Sequence, residues 1–188
     1  MHLQTHFKEP TIVRHRSTAA HSSGNPALAV SVSQGAPMLD LNQTHHAHID
    51  RRLHTEPIIW LGSVRPDGRP HLVPVWFLWD GLKVLVFSLP NTQKVINIRK
   101  NPNVSLALDA AEQGYDIVRL EGRATLLDDP EIRGTMPKFV EKYENVPRRW
   151  PAKEWAEKFS QAISIAPTSL LSWRTNPNSP PMRTTIRF

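Results

Sequence analysis

The chain contains no cysteine. That excludes a disulfide framework, thiolate metal sites and thiol nucleophiles. Any redox chemistry must therefore come from a bound group. Glycine is scarce, at 8 of 188 residues, whereas proline reaches 17. There is no Gly-x-Gly-x-x-Gly after a strand, no Walker loop, no Gly-x-Ser-x-Gly and no His-Glu-x-x-His, which sets aside nucleotide-binding α/β folds and standard hydrolases. No stretch approaches the roughly 20 apolar residues that a membrane helix needs. A cytoplasmic protein without a membrane partner is expected.

Charge is present in excess, with 23 Lys+Arg against 17 Asp+Glu, a formal net charge of +6. Its distribution argues against a nucleic-acid partner. Residues 1–37 hold Lys8, Arg14 and Arg16 against Glu9, and residues 174–188 hold Arg174, Arg183 and Arg187 with no acid. Residues 38–173 are left with 17 basic and 16 acidic side chains, so no domain-wide basic face is expected. Neither end can bury much apolar surface. Residues 1–37 read as a disordered N-terminal extension, 38–173 as the domain and 174–188 as a flexible C-terminal tail. The first segment is acid-poor with Arg and Ser, as transit peptides are. An extension, or a start placed ahead of Met38, is the preferred reading.

Within the domain, Gln43 to Thr55 reads as a helix ended by Glu56-Pro57. Ile58 to Val64 is a strand, Arg65-Pro66-Asp67-Gly68-Arg69 a turn, and His71 to Trp79 the returning strand. Asp80-Gly81 then leads into a third strand, Leu82 to Ser88, giving a meander. Pro90-Asn91-Thr92 offers helix-start chemistry, and Asn101-Pro102 stops that helix. Val104 to Leu108 and Asp116 to Leu127 are strands, with a bulge expected at Gly122. Helices follow from Asp128 to about Glu144 and from Pro151 to Phe159. Ala162–Ile165 and Ser169–Trp173 form the last strand. The pattern is mainly β, a six-stranded antiparallel barrel with a few short helices.

The most informative segment runs from Val86 to Arg99. A strand ends in a hydroxyl, Ser88, and a helix opens with Thr92, Gln93 and Lys94. Free amides at a helix N-terminus attract anions, and a lysine at that positive end is favourable only beside an anion. The arrangement suits a phosphate, although an exposed surface lysine fits the spacing too. His45, His46, His48 and His54 crowd the first helix. Their spacing and the polar setting point to an exposed helix rather than a metal site, and no metal is expected. Pro74 cannot donate within a ladder and belongs at an edge or bulge, while Trp76 and Phe77 face opposite sides. Arg65, Arg69 and His71 flank the first hairpin and read as solvated charges or as contacts to an acidic group. Trp173 and Arg174 close the last strand. Arg148-Arg149 reads as a solvated helix end.

Several motifs occur in order: Trp60-Leu61-Gly62-Ser63-Val64-Arg65-Pro66-Asp67-Gly68-Arg69-Pro70-His71, Pro74-Val75-Trp76-Phe77, the Ser88 to Lys94 segment, Asn101-Pro102 and Leu120-Glu121-Gly122-Arg123-Ala124. Over residues 43–173 this resembles the pyridoxamine 5′-phosphate oxidase-like split β-barrel superfamily, and more narrowly its deazaflavin (coenzyme F-420)-dependent oxidoreductase branch. The resemblance implies an FMN-binding split barrel-like fold and a homodimer with two flavin-like cofactors at the interface. It implies that Ser88, Thr92, Gln93 and Lys94 hold the phosphate, supported by Asn97 and Arg99. The strand Val73-Pro74-Val75-Trp76 would lie along the ring. The implied activity is hydride transfer from reduced coenzyme F-420 to an electron-poor small-molecule acceptor. The alternatives are an FMN-dependent oxidase or reductase and a non-enzymatic flavin or tetrapyrrole binder. Gln93 departs from the second basic residue that many FMN members carry beside the lysine. No catalytic residue is assigned: Tyr115, Tyr143 or solvent could supply the proton.

Overall fold

In a computed structural model of the protein, the described residues are 38–109, 115–127, 136–145, 151, 154, 158–176 and 179–188. Helix α1 (Thr44–Thr55) precedes strands β1 (Ile59–Val64), β2 (Pro70–Val75), β3 (Phe77–Trp79) and β4 (Val84–Ser88). Helix α2 (Gln93–Lys100), strands β5 (Asn103–Leu108) and β6 (Asp116–Leu127), helix α3 (Met136–Tyr143) and strands β7 (Gln161–Asn176) and β8 (Ser179–Arg187) complete the described elements. All strand pairs are antiparallel, in the order β2-β1-β5-β6-β7-β4-β3, with β8 pairing β7 off this path.

The architecture is mainly β with few helices, as expected, but it has eight described strands rather than six. Two differences account for this. The returning strand is not continuous: β2 pairs β1 and β3 pairs β4, with the break at Trp76. The strands therefore do not form the simple meander expected. The two ends of the path are successive pieces of one chain, so the sheet must curl round to bring them together. The second difference is at the C-terminus. Residues 174–188, read as a flexible tail, carry the end of β7 and all of β8, which pairs with β7 from Ser169↔Arg187 to Asn176↔Ser179. The Pro180-Pro181 pair that suggested a tail is tolerated because it falls at the register shift between the Arg174↔Met182 and Asn176↔Ser179 pairs, where a bulge spares the ladder.

Alternation along the strands decides the core. Ile59, Leu61, Val84, Val86, Leu106, Leu120, Ile163 and Ile165 are buried on the inner face, and Ile49 and Leu53 of α1 join them. A second cluster lies outside the seam, where α3 packs Phe139 and Tyr143 against Phe87, Trp76 and Leu78. The rings of Trp76 and Tyr143 stack at 4.5 Å and 6°. The Tyr143 hydroxyl accepts from Phe77 N–H at 2.7 Å, and its own proton has the Phe77 and Pro57 carbonyls at 2.8 and 3.0 Å. One fully buried tyrosine thus fastens the point where β2 gives way to β3. Gly122 sits at a β-bulge, and a Cβ there would approach the Ala166 carbonyl oxygen to 2.6 Å.

The first helix departs from its expected exposure. His45 is buried, and His48 Nε2 lies 2.6 Å from the carboxylate of buried Asp116. Arg52 is also buried. It donates to the Asp116 and Asp109 carbonyls at 2.8 and 2.7 Å and pairs with Asp116 and Glu56 at 3.2 Å each. Burying a guanidinium is tolerated when its donors are satisfied. Among the described residues, no group of three or more His, Cys, Asp or Glu could hold a metal.

Candidate cofactor phosphate site

The tip of the β1–β2 hairpin and the start of α2 meet at one end of the barrel. The hairpin turns on Gly68, at φ 86°, and is closed by Arg65 N–H to Arg69 C=O at 2.9 Å. Its two arginines then separate. Arg69 turns back on Asp67 at 2.6 Å, an exposed local pair. Arg65 reaches α2, donating from Nη1 to Gln93 Oε1 at 3.1 Å. From there a chain of amides runs inward. Gln93 Nε2 donates to Asn97 Oδ1 at 2.7 Å, and Asn97 Nδ2 to Ser63 Oγ at 2.9 Å. Hairpin, helix and barrel wall are tied together by four side chains.

The start of α2 is left open for a reason visible in its hydroxyls. Thr92 is the N-cap residue, yet its side chain makes no cap hydrogen bond. Its Oγ1 instead lies 2.9 Å from Ser88 Oγ and 3.3 Å from the Leu89 carbonyl. The first-turn amides of α2 therefore keep their anion-attracting character. Asn91, at φ 67°, adopts the left-handed conformation that delivers the chain into this turn.

Three basic groups gather here. Lys94, half-buried in the first turn, has its pKa lowered by burial alone, with no carboxylate offsetting the cost. His71 lies opposite Ser63 across the β1–β2 ladder. Burial first, then the charges of Arg65 and Lys94, hold its pKa below the ordinary histidine value. Its Nδ1 is buried without a hydrogen-bond partner. Two cations around a histidine with an unsatisfied nitrogen, beside an uncapped helix, make a site suited to an anion.

The sequence-predicted residues fall into groups. Thr92, Gln93 and Lys94 converge with Ser88, but Ser88 is fully buried and acts by holding Thr92. Asn97 is likewise fully buried and acts through Gln93 and Ser63. Arg99 is exposed in the last turn, about 140° round the helix from Lys94, and does not join them. Val73, Pro74 and Val75 lie on edge strand β2, with Pro74 opposite Trp60, so the proline stands at an edge as its chemistry requires. Val75 is committed to the core, and Trp76 gives one face to Tyr143. Sequence reasoning gave Arg65 and His71 no firm role. The i,i+2 placement of His71 after Arg69 held no such signal, whereas the Arg65–Gln93 bond depends on two segments meeting. Of the candidate proton donors, Tyr143 is fully buried and its pKa is pushed up by desolvation, so it is structural. Tyr115 is exposed. Arg148-Arg149 and most of the Pro151–Phe159 helix lie outside the described residues.

On the outer face of the same strands is a groove of about 670 Å³, lined by Gly62, Ser63, Val64, His71, Leu72 and residues of β5 to β7. Gly62 leaves its floor without a side chain.

A split antiparallel barrel with a basic, uncapped helix start beside a groove defines a class of small cofactor-binding β proteins. A family model described as pyridoxamine 5′-phosphate oxidase matches residues 46–174, and the chain belongs to that family. Such proteins bind flavin-type cofactors and commonly dimerise. No curated protein matches the sequence. Among solved structures, an F-420 reductase is similar at 28% identity and a TM-score of 0.52, covering 64% of this chain and 94% of that one. A conserved hypothetical protein from Mycobacterium tuberculosis is similar at 24% identity and a TM-score of 0.55, covering 68% and 83%. ChuZ of Campylobacter jejuni reaches a TM-score of 0.64 at 10% identity, covering 77% and 59%. The latter two bear on the fold alone.

Proposed function

We propose that the protein is a homodimeric oxidoreductase that uses reduced coenzyme F-420 to deliver a hydride to an electron-poor small molecule. The observation that carries the reading is the burial of Lys94 without a carboxylate, beside Arg65, His71 and the open start of α2. Lys94, Arg65, Thr92 and the first-turn amides hold the cofactor's phosphate, and His71 offers it a hydrogen bond. Gln93, Asn97, Ser63 and Ser88 position these groups. The edge of β2 at Val73-Pro74-Val75, unpaired among the described residues, is available to the polar edge of a planar ring. The cofactor supplies the hydride chemistry when bound, and the chain supplies orientation and exclusion of water. The likeness to an F-420 reductase supports the choice of cofactor.

FMN is the rival, and one observation favours it. Arg65, held by Gln93, provides the second cation that the glutamine itself lacks. Titration of the full chain with coenzyme F-420 and with FMN separates the two. Tight binding of F-420, weakened by about 1.5–3 kcal/mol in Lys94→Ala, is the expected result. Retention of FMN with no affinity for F-420 would overturn the cofactor assignment. Unchanged affinity in Lys94→Ala would remove Lys94 from the site. Binding of F-420 without turnover against a broad acceptor panel would instead indicate a non-enzymatic carrier.

A further inference from the structure

At the other end of the barrel, about 20 Å along β6 from the level of Ser63, lies a pocket of about 370 Å³. It is lined by Thr44, His45, Ala47, His48, Arg51 and Arg174, with no acidic side chain among them. Three features of this pocket agree. Helix α1 begins here with Gln43 as N-cap, no side-chain cap bond and no acid in its first turn. His45 is 7% exposed, and its Nε2 is buried without a hydrogen-bond partner. Leaving a buried polar nitrogen unsatisfied is costly. Arg51 and Arg174 are both lining residues, so the pocket's charged members are basic.

The Asp116 carboxylate behind His48 is already committed. Arg51 Nη2 lies 2.9 Å from His48 Nδ1. A guanidinium can only donate, so Nδ1 accepts, and His48 carries its proton on Nε2. That proton goes to Asp116 at 2.6 Å, and Asp116 also faces Arg52. Burial first, and then the neighbouring histidines, lower the pKa of His45. Its ring is therefore neutral near pH 7 and able to donate one hydrogen bond. The volume lies within the range of small-molecule sites.

We propose that this pocket is a second anion site, separate from the Lys94 site, which takes the carboxylate or phosphate group of a small molecule between Thr44, His45, Arg51 and Arg174. First-turn amides, the His45 ring and two guanidinium groups are the donor set that recognises an oxyanion. The proposal does not depend on the identity of the cofactor.

The test uses the full chain carrying Lys94→Ala, so that the first site does not compete. Inorganic phosphate and succinate are titrated separately while the ring nitrogen resonances of His45 are followed by NMR. A saturable shift of the His45 ring with at least one probe is expected, and the responding probe identifies the oxyanion class. Arg51→Gln, a change at an exposed position, should weaken that binding about tenfold, as for loss of a charge-assisted bond. If His45 fails to respond to either probe at millimolar concentration, the site does not exist. An unaltered affinity in Arg51→Gln would equally overturn the proposed lining.

Discussion

His71 shows how much of a site can turn on one ring. Burial, and then its neighbours Arg65 and Lys94, lower its pKa when no anion is near. A bound anion opposes those charges and raises the histidine pKa again. Anion binding must then take up a proton. Affinity should rise as pH falls below about 6.5 and level off once the ligand-free ring is itself protonated. Sulfate is the suitable probe because its own charge is constant through this range. Calorimetric titration at several pH values should show the rise, and His71→Asn should flatten it. A flat profile in the unmodified protein would separate His71 from the anion. The same residue marks a limit of reading by sequence. The lysine at a helix start was legible because its position conflicts with the dipole. The histidine was not, because its meaning comes from Lys94, 23 positions away in the chain.

At the scale of elements, local chemistry predicted α1, α2, β5 and β6 closely, since caps, prolines and alternation are written into neighbouring residues. It did not predict the break at Trp76. That break depends on Tyr143, which accepts from Phe77 N–H across 66 positions. Nor did it predict β8, whose prolines resemble those of a free tail until a partner strand is supplied. Helix α3 carries a cost that exposes its role. Lys142 lies over the Phe77 ring at 3.8 Å, with its ammonium 3.4 Å from the Leu53 carbonyl. Burial lowers its pKa to about 8, with Glu56 only partly offsetting. An unfolded lysine keeps its ordinary value near 10.4. Between those two values the unfolded chain binds more protons, so native stability should rise as pH climbs from about 8 to 10.4. Lys142→Met keeps the packing and removes the buried charge. Thermal unfolding at pH 7 should show a melting temperature raised by about 2–4 °C, with the advantage fading by pH 10.4. A lowered melting temperature at pH 7 would mean that the cation–π contact outweighs desolvation.

Over the whole molecule, the positive charge changes its meaning twice. Read as composition it suggests a nucleic acid, and read by segment it belongs to two tails. The strand β8 then returns Arg183 and Arg187 to the folded sheet. The groups that matter for binding are nevertheless few and set at opposite ends of the barrel, around half-buried Lys94 at one and buried His45 at the other. Between the ends, on the outer face of β1 and β2, apolar side chains face water: Leu72 is 63% exposed and Val64 38%. Scattered exposed apolar residues need no explanation, but these two line one groove together with Gly62. A second copy laid on this face would cover both side chains and close the groove beside the Lys94 site. Site and interface would then depend on one surface. Leu72→Asp places a charge there without touching the barrel core. Sedimentation should show a dimer for the unmodified chain and a monomer for Leu72→Asp, with cofactor affinity lost together with the dimer. Lys94→Ala should lose affinity while remaining dimeric. A Leu72→Asp protein that stays dimeric and binds normally would place the interface on another face and leave the groove to the small-molecule acceptor alone.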